Sequence, residues 1–163
     1  MEIHMNIINV GVGDLAASIF PDILKTLLGS CVGVALYSPS DKVGGLIHIM
    51  LPKLTNGDMN RAKYANTGIP LLLSTLENGY GVDRSNLIAK IAGGANMFSF
   101  KKTAAPVFDI GTNNIAAVRY CLNHLEIPIV EEDVGANYGR RIEFYLESGK
   151  ISIFGHNKQE VHI

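Results

Sequence analysis

Two cysteines, Cys31 and Cys121, are all this 163-residue chain has, too few to frame a secreted fold with disulfides. Excess charge is also missing. Fourteen Lys and Arg against fifteen Asp and Glu leave a formal net charge of −1, which offers no electrostatic footprint for nucleic acid or an anionic membrane. No apolar run approaches the ~20 residues that span a bilayer, since Gly, His or Pro interrupts the longest candidates. The start lacks a basic-then-apolar signal segment, and no repeat, linker or low-complexity tract is present. These absences point to a cytoplasmic protein with both thiols reduced. His4, His124, His156 and His162 show no metal-ligand spacing with one another or with either cysteine, so neither a metal nor a cofactor is expected. Gly11-Val12-Gly13 lacks the third glycine and following helix of a dinucleotide loop. Gly93-Gly94-Ala95 lacks the Lys-Ser/Thr of a phosphate loop and reads as a tight backbone turn near the site.

What is present describes an ordinary globular protein: 47% hydrophobic and 18% charged residues. Residues 1–163 fit one domain, and a chain of this size buries ~68–70% of its unfolded surface without staples. Residues 7–12, 24–28, 32–37, 43–50, 87–92, 127–131, 141–146 and 151–154 read as strands, the last two joined across Ser148-Gly149. Residues 54–60, rich in Thr, Asn, Gly and Asp, read as a loop. Ile69, Leu72, Leu73 and Leu76 form a helical stripe, with Thr67 as N-cap, Pro70 in the first turn and Gly79 as the stop. A second helix takes Thr112 as its cap and carries Ile115, Val118, Arg119 and Leu122; Cys121 beside that stripe reads as packing. Strands that outnumber helices and connect mostly by hairpins favour an α+β class over a doubly wound parallel sheet.

The chemistry concentrates on Cys31 and His48. Ser38-Pro39-Ser40-Asp41 is turn chemistry, and pairing Tyr37 with Lys42 across it sets Cys31 directly opposite His48. Opposed residues share a sheet face, their Cβ atoms ~4.5–5.5 Å apart. Val32, Val34, Leu36, Val43, Ile47 and Ile49 then form an apolar face. Cys31, Gly33, Ala35, Gly44, Leu46 and His48 form the other, which is thin enough to leave room for an approaching group. A thiol beside an imidazole is the minimum equipment of a cysteine nucleophile. Gly139-Arg140-Arg141 is open to two readings, a clamp on an acidic group or a hairpin cap.

Leu27-Leu28-Gly29-Ser30-Cys31-Val32-Gly33-Val34 resembles the nucleophile segment of the CheD chemoreceptor glutamine deamidases of bacterial and archaeal chemotaxis. Gly44-Gly45-Leu46-Ile47-His48-Ile49-Met50-Leu51-Pro52 is similar to the family's histidine segment. Further matches are Lys63-Tyr64-Ala65-Asn66-Thr67-Gly68-Ile69-Pro70-Leu71-Leu72, Gly93-Gly94-Ala95-Asn96-Met97, Ile110-Gly111-Thr112-Asn113-Asn114, and Asp133-Val134-Gly135-Ala136-Asn137-Tyr138-Gly139-Arg140. The resemblance implies a sandwich of β-sheets flanked by helices, a fold shared with the catalytic domain of cytotoxic necrotizing factor toxins. It also implies a third catalytic residue, a threonine a few places before the nucleophile. Thr26 is the only threonine there, although counting without a gap lands on Lys25; a one-residue adjustment of the strand, substitution by Ser30, or a weak third role would each account for that.

By the same resemblance the substrate is a glutamine side chain on the cytoplasmic helices of a methyl-accepting chemotaxis receptor. A CheC-type phosphatase is the implied second partner, on the same face. Thiolate attack on the carboxamide, loss of ammonia and hydrolysis of a thioester would give glutamate. His48 would hold the thiolate in an ion pair, and backbone N–H groups around Gly29, Ser30 and Cys31 would receive the oxyanion. Two rival readings remain: a non-catalytic adaptor that regulates receptors or the phosphatase by binding, and a thiol redox sensor.

Overall fold

A computed structural model describes residues 2–97, 109–155 and 159–163. His156 lies outside the described residues. Among the described residues ten strands and two α-helices run in the order β1 (Ile7–Asn9), β2 (Leu15–Ile19), β3 (Ile23–Leu28), β4 (Val32–Ser38), β5 (Val43–Ile49), α1 (Ala65–Tyr80), β6 (Ile88–Gly93), α2 (Ile110–His124), β7 (Ile129–Val134), β8 (Arg140–Tyr145), β9 (Ile151–Phe154) and β10 (Glu160–His162). They build two five-stranded sheets, ordered β1-β3-β8-β9-β10 and β2-β5-β4-β6-β7. Only β1/β3 and β6/β7 pair in parallel among the described strands. The architecture is α+β, as the hairpin-rich pattern implies.

Three layers result, because the central strands of the second sheet are buried on both faces. Period-two alternation sends Val32, Val34, Leu36, Ile47 and Ile49 to one face, where they meet Ile69, Leu72, Leu73 and Leu76 of α1 and Ile115, Val118 and Leu122 of α2. Each fully buried aliphatic side chain there contributes about 1.5–3 kcal/mol. The other face carries Ala35, Tyr37 and Leu46 against Leu24, Leu28, Ile142 and Phe144 of the first sheet. This overturns the reading of that face as open. A Cβ on Gly33 would stand 3.1 Å from Leu28 and 3.2 Å from Ile142, and one on Gly44 would meet Leu146 at 2.8 Å. The small residues make room for a sheet rather than for a substrate.

The hairpin register also differs from the sequence reading. Ser38 pairs with Val43, and Gly33, not Cys31, lies opposite His48. The cause is local. Lys42 adopts a left-handed conformation (φ 52°) and donates its N–H to Ser38 O at 2.9 Å, while Ser38 Oγ donates to Asp41 at 2.7 Å. The turn therefore consumes Lys42 and releases Ser38 to the ladder. A slip of two residues preserves facing, so Cys31 stays on the side of His48, one diagonal step away at ~7–8 Å for such neighbours.

Other boundaries move for identifiable reasons. Helix α1 starts at Ala65 rather than after Thr67 because Ala65 and Asn66 donate to Leu51 O and Pro52 O, so the first turn takes backbone acceptors from the chain after β5. Thr67 instead donates its hydroxyl to Arg61 O. Pro70 thus sits inside the helix, tolerated because both it and the Asn66 carbonyl it cannot reach are on the exposed side. The stop is Gly81, left-handed at φ 66°, not Gly79. The cap of α2 is Asp109, which accepts from both the N–H and the hydroxyl of Thr112. Strand β2, rich in Ala and Ser, and the exposed strand β10 carry little strand signal of their own.

Candidate active site

Cys31 sits where the chain leaves one sheet for the other. Leu28 ends β3 in the first sheet and Val32 opens β4 in the second, so Gly29-Ser30-Cys31 is the crossover. All three of its carbonyls are tied down. Ala95 N–H donates to Gly29 O at 3.0 Å, Asn114 Nδ2 to Ser30 O at 3.1 Å, and Gly94 N–H to Cys31 O at 2.8 Å. The Gly93-Gly94 turn needs both glycines: their φ angles are 104° and 68°, and a Cβ on Gly93 would run into Cys31 O. The tight turn expected from the sequence therefore forms the backing of the cysteine segment.

His48 faces into the sandwich, 2% exposed, and meets a residue from the opposite sheet. Thr26 Oγ1 lies 2.7 Å from His48 Nδ1 and donates its own hydrogen to Val10 O at 2.7 Å. A hydroxyl with its hydrogen committed can only accept from the ring, so the network assigns the proton to Nδ1 and leaves the lone pair on Nε2. That Nε2 is buried and has no hydrogen-bond partner among the described residues. Lys25 could not do the same. It points to the other face of β3 and pairs with Glu143 at 3.4 Å. Position 26 alone of the two faces the imidazole, whatever an ungapped count suggests.

Burial disfavours charge on both candidate groups. Desolvation pushes the Cys31 thiol up from its ordinary value. Desolvation also lowers His48, more than the hydrogen bond at Val10 raises it. No hydrogen bond joins Sγ to Nε2. Both shifts favour a neutral thiol near a neutral imidazole at rest, whereas the sequence reading expects an ion pair.

A cavity of about 390 Å³ opens onto His48 and Thr26 and is lined also by Val10, Val12, Lys25, Leu27 and Arg141. A second, of about 420 Å³, runs past Gly29, Met97 and Arg140. Leu27, 70% exposed, and Arg141 border both. Arg140 is buried, bonds Asp133 at 3.3 Å and Gly135 O at 3.0 Å, and stacks on Tyr138, so it ties together the connection from β7 to β8. Its acidic partner is the chain's own. Arg141 is exposed and lies over the Phe154 ring.

The described histidines elsewhere stay apart from this site. His124 stacks on Tyr120, and His162 bonds Ser152. No group of His, Cys, Asp and Glu that could hold a metal occurs among the described residues. Cys121 packs beside the helical core cluster with its thiol raised by burial. Asn114 is the site residue that reading by residue type missed. It lay within a quoted motif, but no spacing rule connects it to Cys31, 83 positions earlier in the sequence.

Residues 50–154 match the family described as CheD chemotactic sensory transduction. The chain belongs to the CheD family. The Halalkalibacterium halodurans protein named chemoreceptor glutamine deamidase CheD is 47% identical over 152 residues, covering 91% of this chain and 93% of its own. Two proteins named probable chemoreceptor glutamine deamidase CheD are similarly related. That of Caldanaerobacter subterraneus is 45% identical and that of Lachnoclostridium phytofermentans 47%, each covering 90% of this chain and 91% of its own length. The crystal structure of the Bacillus licheniformis hypothetical protein YfiH matches 70% of this chain and 46% of its own at 14% identity, with a TM-score of 0.44.

In this CheD-family chain the Thr26 contact carries a testable consequence. Thr26→Val keeps the shape but removes the acceptor of the Nδ1 hydrogen and the donor to Val10 O. A loss of about 1–3 kcal/mol is expected from the unpaired buried groups, measured by urea unfolding. Turnover per folded molecule should fall as well, because the ring loses the bond that selects its tautomer. Unchanged stability and turnover would leave Thr26 without a role.

Proposed function

We infer that this protein is a chemoreceptor glutamine deamidase, an amidohydrolase that converts receptor glutamine side chains to glutamate with release of ammonia. The observation that carries the mechanism is the Thr26–His48 bond at 2.7 Å, which leaves a desolvated Nε2 lone pair on the side of the sheet that Cys31 also faces. Membership of a family whose relatives bear that name supplies the substrate class.

Cys31 is proposed as the nucleophile, His48 as the base and acid, and Thr26 as the group that orients His48. A substrate carboxamide settles against the Cys31 crossover, and Nε2 takes the thiol proton as Sγ attacks the carbonyl carbon. The carbonyl π-bond opens to an oxyanion, received by backbone N–H groups of the Gly29–Cys31 turn; such donors are often worth ~3 kcal/mol each. Protonated Nε2 then hands its proton to the departing nitrogen. The C–N bond breaks, ammonia leaves and a thioester remains. Nε2, neutral again, takes a proton from water as the hydroxide adds to the thioester. Collapse releases the glutamate acid, and the thiolate recovers its proton from the imidazolium.

A neutral resting pair suits this order. The thiol is unreactive until a carbonyl is in place, which limits oxidation and side reactions in the absence of substrate. The same reading places the protein in the cytoplasm, on receptor helices, with a CheC-type phosphatase as a competitor for that face. Among the described residues no helix is long and apolar enough to cross a membrane.

The test is incubation with purified receptor cytoplasmic fragments, followed by peptide mass spectrometry. Discrete glutamines should each gain about one dalton, the mark of amide-to-acid conversion, with ammonia released in equal amount. Receptor binding without any mass change would favour the adaptor reading.

A further inference from the structure

We propose that Asn114 is a positioning residue that sets the separation of the Cys31 turn from the His48 strand. The turnover part of its test rests on the deamidase reading; the thiol chemistry does not. Asn114 lies on α2 and is fully buried. The two hydrogens of its Nδ2 go to different segments, one to Ser30 O at 3.1 Å and the other to Met50 O at 3.0 Å. Ser30 immediately precedes Cys31, and Met50 follows His48 by two residues. The β4–β5 ladder stops short of both, its last pair being Val32 and Ile49. Past that end no backbone pair fixes how far apart the two segments lie, and the amide of Asn114 bridges them from the side.

The helix that carries this amide is itself fixed against the same turn. A Cβ on Gly111 would collide with Gly94 O and Ala95 O, and one on Gly94 would collide with Ile115, so α2 packs directly on the Gly94–Ala95 backbone. Those residues donate in turn to Cys31 O and Gly29 O. One helical turn after Gly111, Asn114 is therefore delivered between the two strands with little freedom to shift.

The other end of the side chain points to the same role. Its Oδ1 is buried without a hydrogen-bond partner among the described residues. A side chain present only for packing would be apolar here, because an orphaned buried acceptor is unfavourable. An amide with one end unpaired is retained because its other end supplies two donors in one plane to two carbonyls. Leucine shares its branched outline, though it is larger, and supplies neither.

Asn114→Leu and Asn114→Ser test the idea, with turnover of a receptor fragment and iodoacetamide alkylation of Cys31 across pH both measured per folded molecule. For Asn114→Leu, kcat should fall on the order of 10²-fold, the cost of a small misplacement of reacting groups, with KM little changed. The alkylation midpoint should move to lower pH as the freed turn exposes the thiol to water. Asn114→Ser, which keeps one donor, should fall between Leu and wild type in both readouts, and it decides the matter alone if Asn114→Leu does not fold. An unchanged alkylation profile with kcat within about threefold of wild type, or a change confined to KM, overturns the proposal. Wild-type protein inactive on every receptor fragment would sink the deamidase reading, and the alkylation shift would still decide the role of Asn114.

Discussion

Replacing Cys31 with alanine is expected to abolish glutamine deamidation while leaving the protein folded. The thiol is the only group in the proposed path that forms a covalent bond to substrate, and losing such a nucleophile typically costs at least about 10⁴-fold. The fold should tolerate the change. Cys31 is half-buried, its backbone is held through Gly94, and alanine removes one sulfur without stranding a hydrogen-bond partner. Cys31→Ser should be nearly as inactive, because a hydroxyl is much harder to ionise and this site already disfavours charge on the thiol. The measurement is receptor-fragment mass spectrometry beside a thermal melt. Cys31→Ala at wild-type turnover would end the enzyme reading and leave the adaptor; sensitivity of a receptor response to oxidant through this thiol would favour the redox reading.

His48→Ala should lose ~10²–10⁴-fold in turnover, the range of a general acid–base residue, since one imidazole both removes the thiol proton and protonates ammonia. His48→Asn separates chemistry from folding: its amide still donates to Thr26, yet it cannot act as a base. Both variants should be inactive. Resting reactivity should behave differently. With no bond between Sγ and Nε2 and burial opposing charge on both, wild-type Cys31 should be alkylated with a midpoint above the ordinary thiol value of ~8.5, and His48→Asn should scarcely move it. A wild-type midpoint below ~7 that rises in His48→Asn would establish a resting ion pair and overturn the neutral-pair account.

The pH dependence follows from the same burial. Burial holds the pKa of His48 in the folded protein below the ordinary histidine value of about 6.5, so Nε2 stays available as a base down to that lowered value and activity falls beneath it. Stability runs in the same direction. The unfolded chain protonates this histidine first, so the contribution of His48 is intact above pH 6.5 and is lost as the pH falls from there through the folded value. A wild-type melt that weakens across this window, set against a flatter one for His48→Asn, would report the coupling.

Much of this was open to a reader of the residues. The helical stripe Ile69, Leu72, Leu73 and Leu76 is core as its spacing implies, and the alternation through residues 32–37 and 43–49 assigns faces correctly. That assignment survived a register wrong by two, because facing in a strand depends only on whether the slip is odd or even. Cys31 and His48 were therefore identifiable as a same-side pair from sequence alone, and motif order pointed to the family. Turn closure was not readable, because nothing in the residue types says that Lys42 will take a left-handed conformation. The fate of the small-residue face was equally hidden, since room left by glycine is the same for a substrate and for a second sheet.

What composition, alternation and motif order determined was the class of fold, the candidate pair Cys31 and His48, and the family. The tertiary structure decided the rest of the site. Thr26 rather than Lys25 reaches His48 because the two belong to different sheets, and only the packing of one sheet on the other selects which side of β3 meets the ring. Asn114 joins the site because α2 docks on the Gly94–Ala95 backbone, a contact between segments far apart in the chain. Charge on the thiol and on the imidazole is disfavoured because both were drawn out of water by layers whose order no local pattern encodes. Periodicity is a property of neighbours along the chain, whereas the sandwich brings together residues with no sequence relation to one another.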